Sequence, residues 1–143
     1  MGTATRTMGI AVTDVDTEAK LPLGFEYHQP ADVTNDIGSV VWIYVYNDSG
    51  SEIAANIVCM RKAVTTKPHV KIAATTTPIE KIVGVSSHAI ANSSYGFIVR
   101  KGICTATADA TVTGDLPIIC DTSTAGNVAH GSANAQTFGV TLA

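Results

Sequence analysis

The first residues that suggest chemistry are a serine and a histidine in the segment Gly84-Val85-Ser86-Ser87-His88. A serine hydroxyl beside an imidazole is the minimum for nucleophilic catalysis, because the histidine can accept the hydroxyl proton. The segment lacks the second glycine of a nucleophile elbow. Adjacent residues on a strand also point to opposite faces, so we expect that Ser87 and His88 do not form a nucleophile–base pair. No catalytic residue and no enzymatic activity are predicted.

Histidine and aspartate are the next candidates, as metal ligands. The four histidines share no i,i+2 or i,i+4 spacing, so we expect surface or interface side chains: His28, His69, His88 and His130. Three aspartates recur every six residues, namely Asp109, Asp115 and Asp121. That spacing would suit a calcium ladder, but the surrounding residues do not repeat. Asp115 follows Gly114 and Asp121 follows a strand, so both are interpreted as turn residues. The sequence therefore predicts no metal and no cofactor, although distant residues could still converge.

The composition favours strands as the elements that hold these side chains. Only 15% of the residues are charged, whereas Val and Ile together number 28 against four Leu. Strands favour β-branched residues, so a mainly helical protein is close to excluded. Turn signals recur at short intervals, which is typical of an all-β sandwich or barrel. Length and composition suit one domain.

Four segments alternate as strands do, and the clearest of them is Ser39 to Tyr46. Its odd positions are aliphatic and its even positions include Trp42, Tyr44 and Tyr46, so it is either buried on both faces or offers its aromatic face to a partner. The second strand is Tyr95 to Cys104, with Phe97, Val99 and Ile103 on one face. The third is Lys81 to Ile90, with Val83 and Val85 facing inward together and a tight hairpin at Asn92-Ser93-Ser94. The fourth is Thr137 to Ala143, which should pair into the sheet.

Charge is distributed unevenly along the chain. Residues 1–59 carry eight acidic and two basic residues, residues 60–101 carry seven basic residues and only Glu80, and residues 102–143 carry three Asp and no Lys or Arg. Acidic and basic strands could neighbour each other within one domain. Alternatively, they meet between copies of the chain, as in a head-to-tail ring. The densest basic stretch, Lys67, His69, Lys71 and Lys81, is interpreted as a solvated edge strand or as a docking patch for an acidic surface.

Three further features limit the class of protein. The bases are spread out and the net charge is −3, so no nucleic-acid partner is expected. No apolar run reaches the ~18 residues of a transmembrane helix, and no signal peptide is visible, so no membrane partner is expected. An odd number of cysteines argues against a disulfide scaffold. We expect Cys59, Cys104 and Cys120 to be reduced, buried side chains.

The N-terminus is polar and rich in threonine, without a core pattern. We divide the chain into an extended N-terminal arm, residues 1–20, and a β-barrel domain, residues 21–143. An extended Thr-rich arm can add as a strand to the sheet edge of another molecule.

The second half of the chain contains a series of short motifs, namely Ile82-Val83-Gly84-Val85, Ala89-Ile90-Ala91, Tyr95-Gly96-Phe97-Ile98-Val99 with Gly102, Gly114-Asp115-Leu116, Ser123-Thr124-Ala125-Gly126 and Phe138-Gly139-Val140-Thr141-Leu142-Ala143. Their order resembles that of the capsid decoration (cement) proteins of tailed bacteriophages. Residues 80–143 fit well, residues 38–61 more loosely and residues 1–36 weakly. The chain departs from the family pattern at Phe97, where Trp is more usual, and lacks a Gly before Tyr95.

The resemblance implies a small, single-domain β-barrel of the β-tulip-like type that sits on the outside of an icosahedral shell. It implies a homotrimer, a major capsid protein as partner, synthesis in the host bacterial cytoplasm and a final location on the capsid exterior. The arm residues that would grip the capsid are Thr3, Thr5, Arg6, Thr7 and Met8. The residues expected at a subunit or capsid interface are Trp42, Tyr44, Tyr46, Lys67, His69 and Lys71. A lone Trp is usually highly buried, so Trp42 could equally belong to the core.

Two other functions remain open at this point. A carbohydrate- or receptor-binding β-domain of a phage head fibre or tail appendage would show exposed aromatic rings with Asp or Asn in loops. A small trimeric β-enzyme would need a polar cluster between subunits. The aromatic residues here lie mainly in strands, which favours the structural virion protein.

Overall fold

The structure, a computed structural model, describes residues 6–7, 9–31, 38–63, 65, 68–75, 77–109, 117–131 and 139–140. Strands make up 42% of it and helix 3%, which confirms the predicted all-β class. The strands are β1 Arg6–Thr7, β2 Ile10–Ala11, β3 Glu26–Gln29, β4 Val40–Asn47, β5 Val58–Arg61, β6 His69–Ile72, β7 Ile82–Val85, β8 Tyr95–Lys101, β9 Pro117–Cys120, β10 Val128–His130 and β11 Gly139–Val140. A short 3₁₀ helix, Ile79–Lys81, leads into β7.

Five of these strands close into a barrel, as predicted. β4, β6, β5, β7 and β8 pair in that order, and β8 returns to β4 in a long antiparallel ladder from Val41↔Lys101 to Tyr46↔Tyr95. β4 pairs with β6 in parallel through Tyr46↔His69 and Asn47↔Val70. β3 adds to β4 outside the ring. β6 pairs with β4 on one side and β5 on the other, so His69 and Lys71 do not lie on an edge strand, which was one of the two interpretations of the basic stretch.

The barrel interior is aliphatic, as the alternation in β4 indicates. Ile43 and Val45 point inward and pack with buried residues of the other strands and loops, namely Ile53, Cys59, Val70, Ile90 and Ile98. Gly84 is required here, because a Cβ at this position would collide with the backbone carbonyl of Val99 on β8. The narrow interior therefore depends on small and β-branched residues.

The aromatic face of β4 is also buried, and the chain itself covers it. Trp42, Tyr44 and Phe97 pack outside the barrel against the N-terminal segment, which supplies Val12 and Leu21 with the half-buried Ile10, Leu23, Phe25 and Tyr27. Val12 is buried, and Asp16 forms an antiparallel bridge with Tyr95. The outer core thus includes residues that the sequence division placed in the arm.

A second outer layer covers β5 and β7. β9 pairs with β10 and β11, and this small sheet packs Cys120 and Val128 against Val58, Met60 and Val85. β11 contains part of the predicted C-terminal strand, and the rest of Thr137 to Ala143 lies outside the described residues. Cys59 and Cys120 are buried, as expected, but Cys104 is exposed. Cys104 is exposed because it lies beyond the end of β8 at Lys101. The next residue, Gly102, has a φ of +110°, and after it the chain runs along the surface, where Ile103 is 52% exposed.

The third predicted strand is shorter than expected. β7 ends at Val85, and Val83 and Val85 pack in different clusters instead of facing inward together. The reason is a register shift in the β5–β7 pairing between Cys59 and Met60. Residues 86–94 do not form a tight hairpin either. Instead, Ile90 in this loop forms an antiparallel bridge with Ile53, and both side chains pack in the barrel interior.

Candidate functional site

A half-exposed group of side chains lies where β4 meets β6 and β8. The Tyr46 ring is 4.8 Å from the His69 ring and 4.8 Å from the Tyr95 ring, measured between centroids. The register explains this arrangement, because Tyr46 is the direct partner of His69 in the parallel pair and of Tyr95 in the antiparallel pair. Side chains of directly opposed residues stand on the same face of a sheet. Tyr46, His69, Tyr95, Asp48 and Lys62 are called the Tyr46 cluster below.

Charged groups complete the Tyr46 cluster. Asp48 Oδ2 lies 3.3 Å from His69 Nδ1, and Asp48 Oδ1 lies 3.6 Å from Lys62 Nζ. Lys62 Nζ also donates to the Asp48 backbone carbonyl at 2.8 Å. The three side chains remain between 29% and 42% exposed, so these pairs contribute little to stability. They give the aromatic surface a polar rim that a partner can approach.

Asn47 holds the loop beside this surface, and its role could not be inferred from the sequence. It is fully buried, and its Nδ2 lies 2.8–3.1 Å from the carbonyl oxygens of Ser51, Ile90 and Ala91. Its Oδ1 accepts from the Ser49 backbone N–H and hydroxyl. The only signal in the sequence was Asn-Asp-Ser-Gly, which predicted a turn but not a buried connection between two loops.

Two of the predicted interface aromatics are not on the surface. Trp42 is 9% exposed and Tyr44 1% exposed, and both belong to the outer core. Trp42 Nε1 donates to Gln29 Oε1 at 2.9 Å, and the Tyr44 hydroxyl accepts the Lys20 backbone N–H at 3.1 Å. Burial raises the pKa of the Tyr44 hydroxyl. Neither ring is free to contact a partner, because the N-terminal segment occupies that face.

The remaining residues predicted for the interface or the arm divide into four cases. Tyr46 and His69 are brought together, as described above. Lys71 is half-buried on β6, opposite Met60 of β5. Lys67 lies outside the described residues, as do Thr3, Thr5 and Met8 of the arm. Arg6 and Thr7 form β1, which pairs antiparallel with β2 through Arg6↔Ala11 and Thr7↔Ile10.

The Ser87–His88 pair contradicts the expectation from the sequence. Ser87 Oγ lies 3.1 Å from His88 Nδ1, because both residues are in a bend beyond β7 and not on a strand. His88 Nε2 is buried and has no hydrogen-bond partner among the described residues. Burial lowers the pKa of His88, and the charge of Asp14 partly opposes that effect. No described group orients the imidazole as the third member of a triad would.

Asp109 and Asp121 organise a turn. Ser123 Oγ lies 3.0 Å from Asp109 Oδ2 and 2.9 Å from Asp121 Oδ2, and Thr124 donates its hydroxyl to Asp109 and its backbone N–H to Asp121. Burial would raise the pKa of Asp121, but the N–H groups of Thr124 and Thr122 and the Ser123 side chain together lower it. Asp115 lies outside the described residues. Within the described ranges, no three His, Cys, Asp or Glu side chains gather as a metal site would require.

Comparison with known proteins gives no relative: no family model, no curated protein and no solved structure matches the chain. No helix within the described ranges is long and apolar enough to cross a membrane. The likeness to decoration proteins therefore rests on the short motifs alone, and the function is a matter for proposal.

Proposed function

We propose that the chain is a structural virion protein that binds the outer surface of an icosahedral phage capsid and stabilises it by clamping neighbouring capsid subunits. The observation that carries this proposal is the Tyr46 cluster, a half-exposed aromatic and charged surface built on three strands of a closed barrel. The barrel also agrees with the fold that the motif resemblance implies. The partner is the major capsid protein, and the location is the capsid exterior.

The Tyr46 cluster has the composition of a protein-binding surface. Tyrosine is enriched at the centres of interfaces, because its ring buries a large apolar area and its hydroxyl still finds a hydrogen-bond partner. Asp48, Lys62 and His69 form a rim of both signs, which suits a polar capsid exterior. Asn47 fixes the adjacent loop, so little ordering is needed when the surface docks.

The N-terminal arm provides a second contact in this proposal. β1 and β2 form a two-stranded sheet, so the described residues pair β1 on one side only. A strand of a capsid subunit can add to the other edge of Arg6–Thr7 by backbone hydrogen bonding. The remaining arm residues named for this role are Thr3, Thr5 and Met8. Several modest contacts, multiplied across a homotrimer, then give strong binding through avidity.

We favour this function over glycan binding because of how the Tyr46 ring is placed. A sugar stacks on a free ring face, but the Tyr46 ring already packs against the His69 and Tyr95 rings. The Asp48 carboxylate likewise lies within reach of His69 and Lys62 instead of facing an open hollow.

The proposal is tested by co-sedimentation of the purified chain with capsid shells that lack it. Substitution of Lys62→Ala together with His69→Ala should weaken binding at least about tenfold, because it removes two groups from the rim of the docking surface. His28→Ala is the matched control, since His28 also lies near a carboxylate, that of Glu26, but sits on β3 outside the barrel ring. Equal binding by the double variant and the control contradicts the docking surface, and no binding by the unsubstituted chain contradicts the function.

A further inference from the structure

One end of the barrel opens into a cavity of about 320 Å³. β4, β6 and β7 begin at this end and β5 and β8 finish there, as their pairing directions require. All five strands, or the residues next to them, contribute to its wall. The side chains that matter for the argument are Ile43, Arg61, Lys81, Ile82, Val83 and Arg100, and the cavity is called the barrel mouth below.

The barrel mouth combines an apolar floor with unpaired positive charge. Ile43 and Val83 belong to the interior core and form the floor. No carboxylate among the described residues lies within ion-pair distance of Arg61 or Lys81, whereas Arg100 is paired with Glu26. Glu80 lines the mouth as well and offsets one of these charges. Such a cavity fits an apolar side chain that has a carboxylate on either side of it.

The chain itself carries a loop with this chemistry. In Asp14-Val15-Asp16-Thr17-Glu18, Val15 is a large hydrophobic residue left 37% exposed, and acidic residues stand directly before and after it. Within the described part of the chain, none of the three carboxylates has an ion-pair partner. The loop is held in place, because Asp14 Oδ2 accepts the Ala11 N–H at 2.8 Å and Asp16 exchanges backbone hydrogen bonds with Tyr95.

The loop cannot fill the mouth of its own barrel. Asp16 is attached to Tyr95, the first residue of β8, whereas Arg100 lies near the last residue of the same strand. Five residues of extended chain separate these points, which is about 17 Å along the strand. The complementary partner is therefore the loop of a second copy.

We propose that the Asp14–Glu18 loop of one copy docks into the barrel mouth of the next, with Val15 on the apolar floor and its acidic neighbours against Arg61 and Lys81. The contact joins two different surfaces, so it is head-to-tail and leaves one free loop and one free mouth at the two ends of the assembly until a ring closes. The inference does not depend on capsid binding, because it concerns the chain alone.

The test uses two charge-reversed forms of the full chain, followed by sedimentation velocity and light scattering. The mouth variant is Arg61→Glu with Lys81→Glu. The loop variant is Asp16→Lys with Glu18→Lys, which leaves the Asp14–Ala11 hydrogen bond intact. The unsubstituted chain should associate, less so as salt rises, and each variant should associate at least about tenfold more weakly.

Two combinations separate docking from misfolding. When the two variants are mixed, the unsubstituted loop of the mouth variant meets the unsubstituted mouth of the loop variant, and the reversed loop meets the reversed mouth. Association should therefore return, with the two variants alternating. A single chain that carries all four substitutions has a basic loop and an acidic mouth. These surfaces are again complementary, so the chain should associate as the unsubstituted chain does. A monomeric unsubstituted chain overturns the proposal, as does unchanged association of both variants. A monomer that still binds shells overturns this inference alone and leaves the proposed function standing.

Discussion

Tyr46 of β4 and His69 of β6 face each other with ring centroids 4.8 Å apart, because their strands pair in parallel at this position. The chain forms β5 after leaving β4 and only then runs beside β4 again as β6. The same pairing closes the barrel and assembles the Tyr46 cluster. The proposed docking surface is therefore attached directly to the ring of strands that forms the barrel.

Asn47→Ala should lower the free energy of unfolding by about 1–3 kcal/mol, because it removes the buried amide that donates to carbonyl oxygens of two loops and joins them. Asn47→Asp should destabilise as well, since a carboxylate cannot donate. Denaturant unfolding measures both, with Asn92→Ala, on an exposed turn, as the control. An Asn47→Asp variant as stable as the unsubstituted chain would rule out the donor role.

Gly84→Ala should destabilise the barrel by about 1–3 kcal/mol or prevent folding, because the added Cβ meets the Val99 carbonyl and forces β7 away from β8. Gly38→Ala is the matched control, since a Cβ there has no heavy atom within 4 Å. Thermal unfolding of the two variants gives the comparison. Equal melting temperatures would contradict the close approach of the two strands.

Stability should fall as the pH drops through the range in which an unfolded histidine titrates, about pH 6.5. Burial lowers the pKa of His88 in the folded chain, so the unfolded chain binds a proton at this histidine more readily than the folded chain does. The stabilisation is present above the unfolded pKa and is lost as the pH falls toward the folded pKa. His88→Gln should flatten the dependence of unfolding free energy on pH between about 5 and 7.5, and His28→Gln, at a side chain 71% exposed, should not.

Deletion of residues 1–8 should abolish shell binding while the barrel still folds. Ile10 and Val12 pack on the outer core and are retained in this variant, so the loss concerns β1, the residues before it and Met8. Circular dichroism checks the fold and co-sedimentation with shells checks binding. Unchanged binding by the shortened chain would contradict the proposal that the arm contacts the capsid.

Much of the barrel could be predicted from local alternation, and the layers around it could not. The pattern from Val40 to Tyr46 identified a strand with two apolar faces, but residues 10–27, which cover the aromatic face, show no regular period. Val83 and Val85 separate only because β5 and β7 shift register, which depends on contacts between distant segments. Tyr46 and His69 were predicted at an interface as separate residues, and only the parallel pairing joins them.

The Ser87–His88 contact shows the limit of the alternation rule. The rule holds on a strand, and the strand ends at Val85, two residues before the serine. Asn47 was missed for a related reason, since its three carbonyl partners come from two loops that the sequence does not connect. In both cases the contact forms at or just beyond the end of a strand. Strand ends depend on packing between distant segments, so they could not be predicted from local alternation.

The central claim is most directly tested by the copy number of this chain per purified virus particle, relative to the major capsid protein, measured by quantitative mass spectrometry. Decoration of the whole shell predicts a copy number close to that of the capsid protein. A few copies per particle, or none, would contradict the claim.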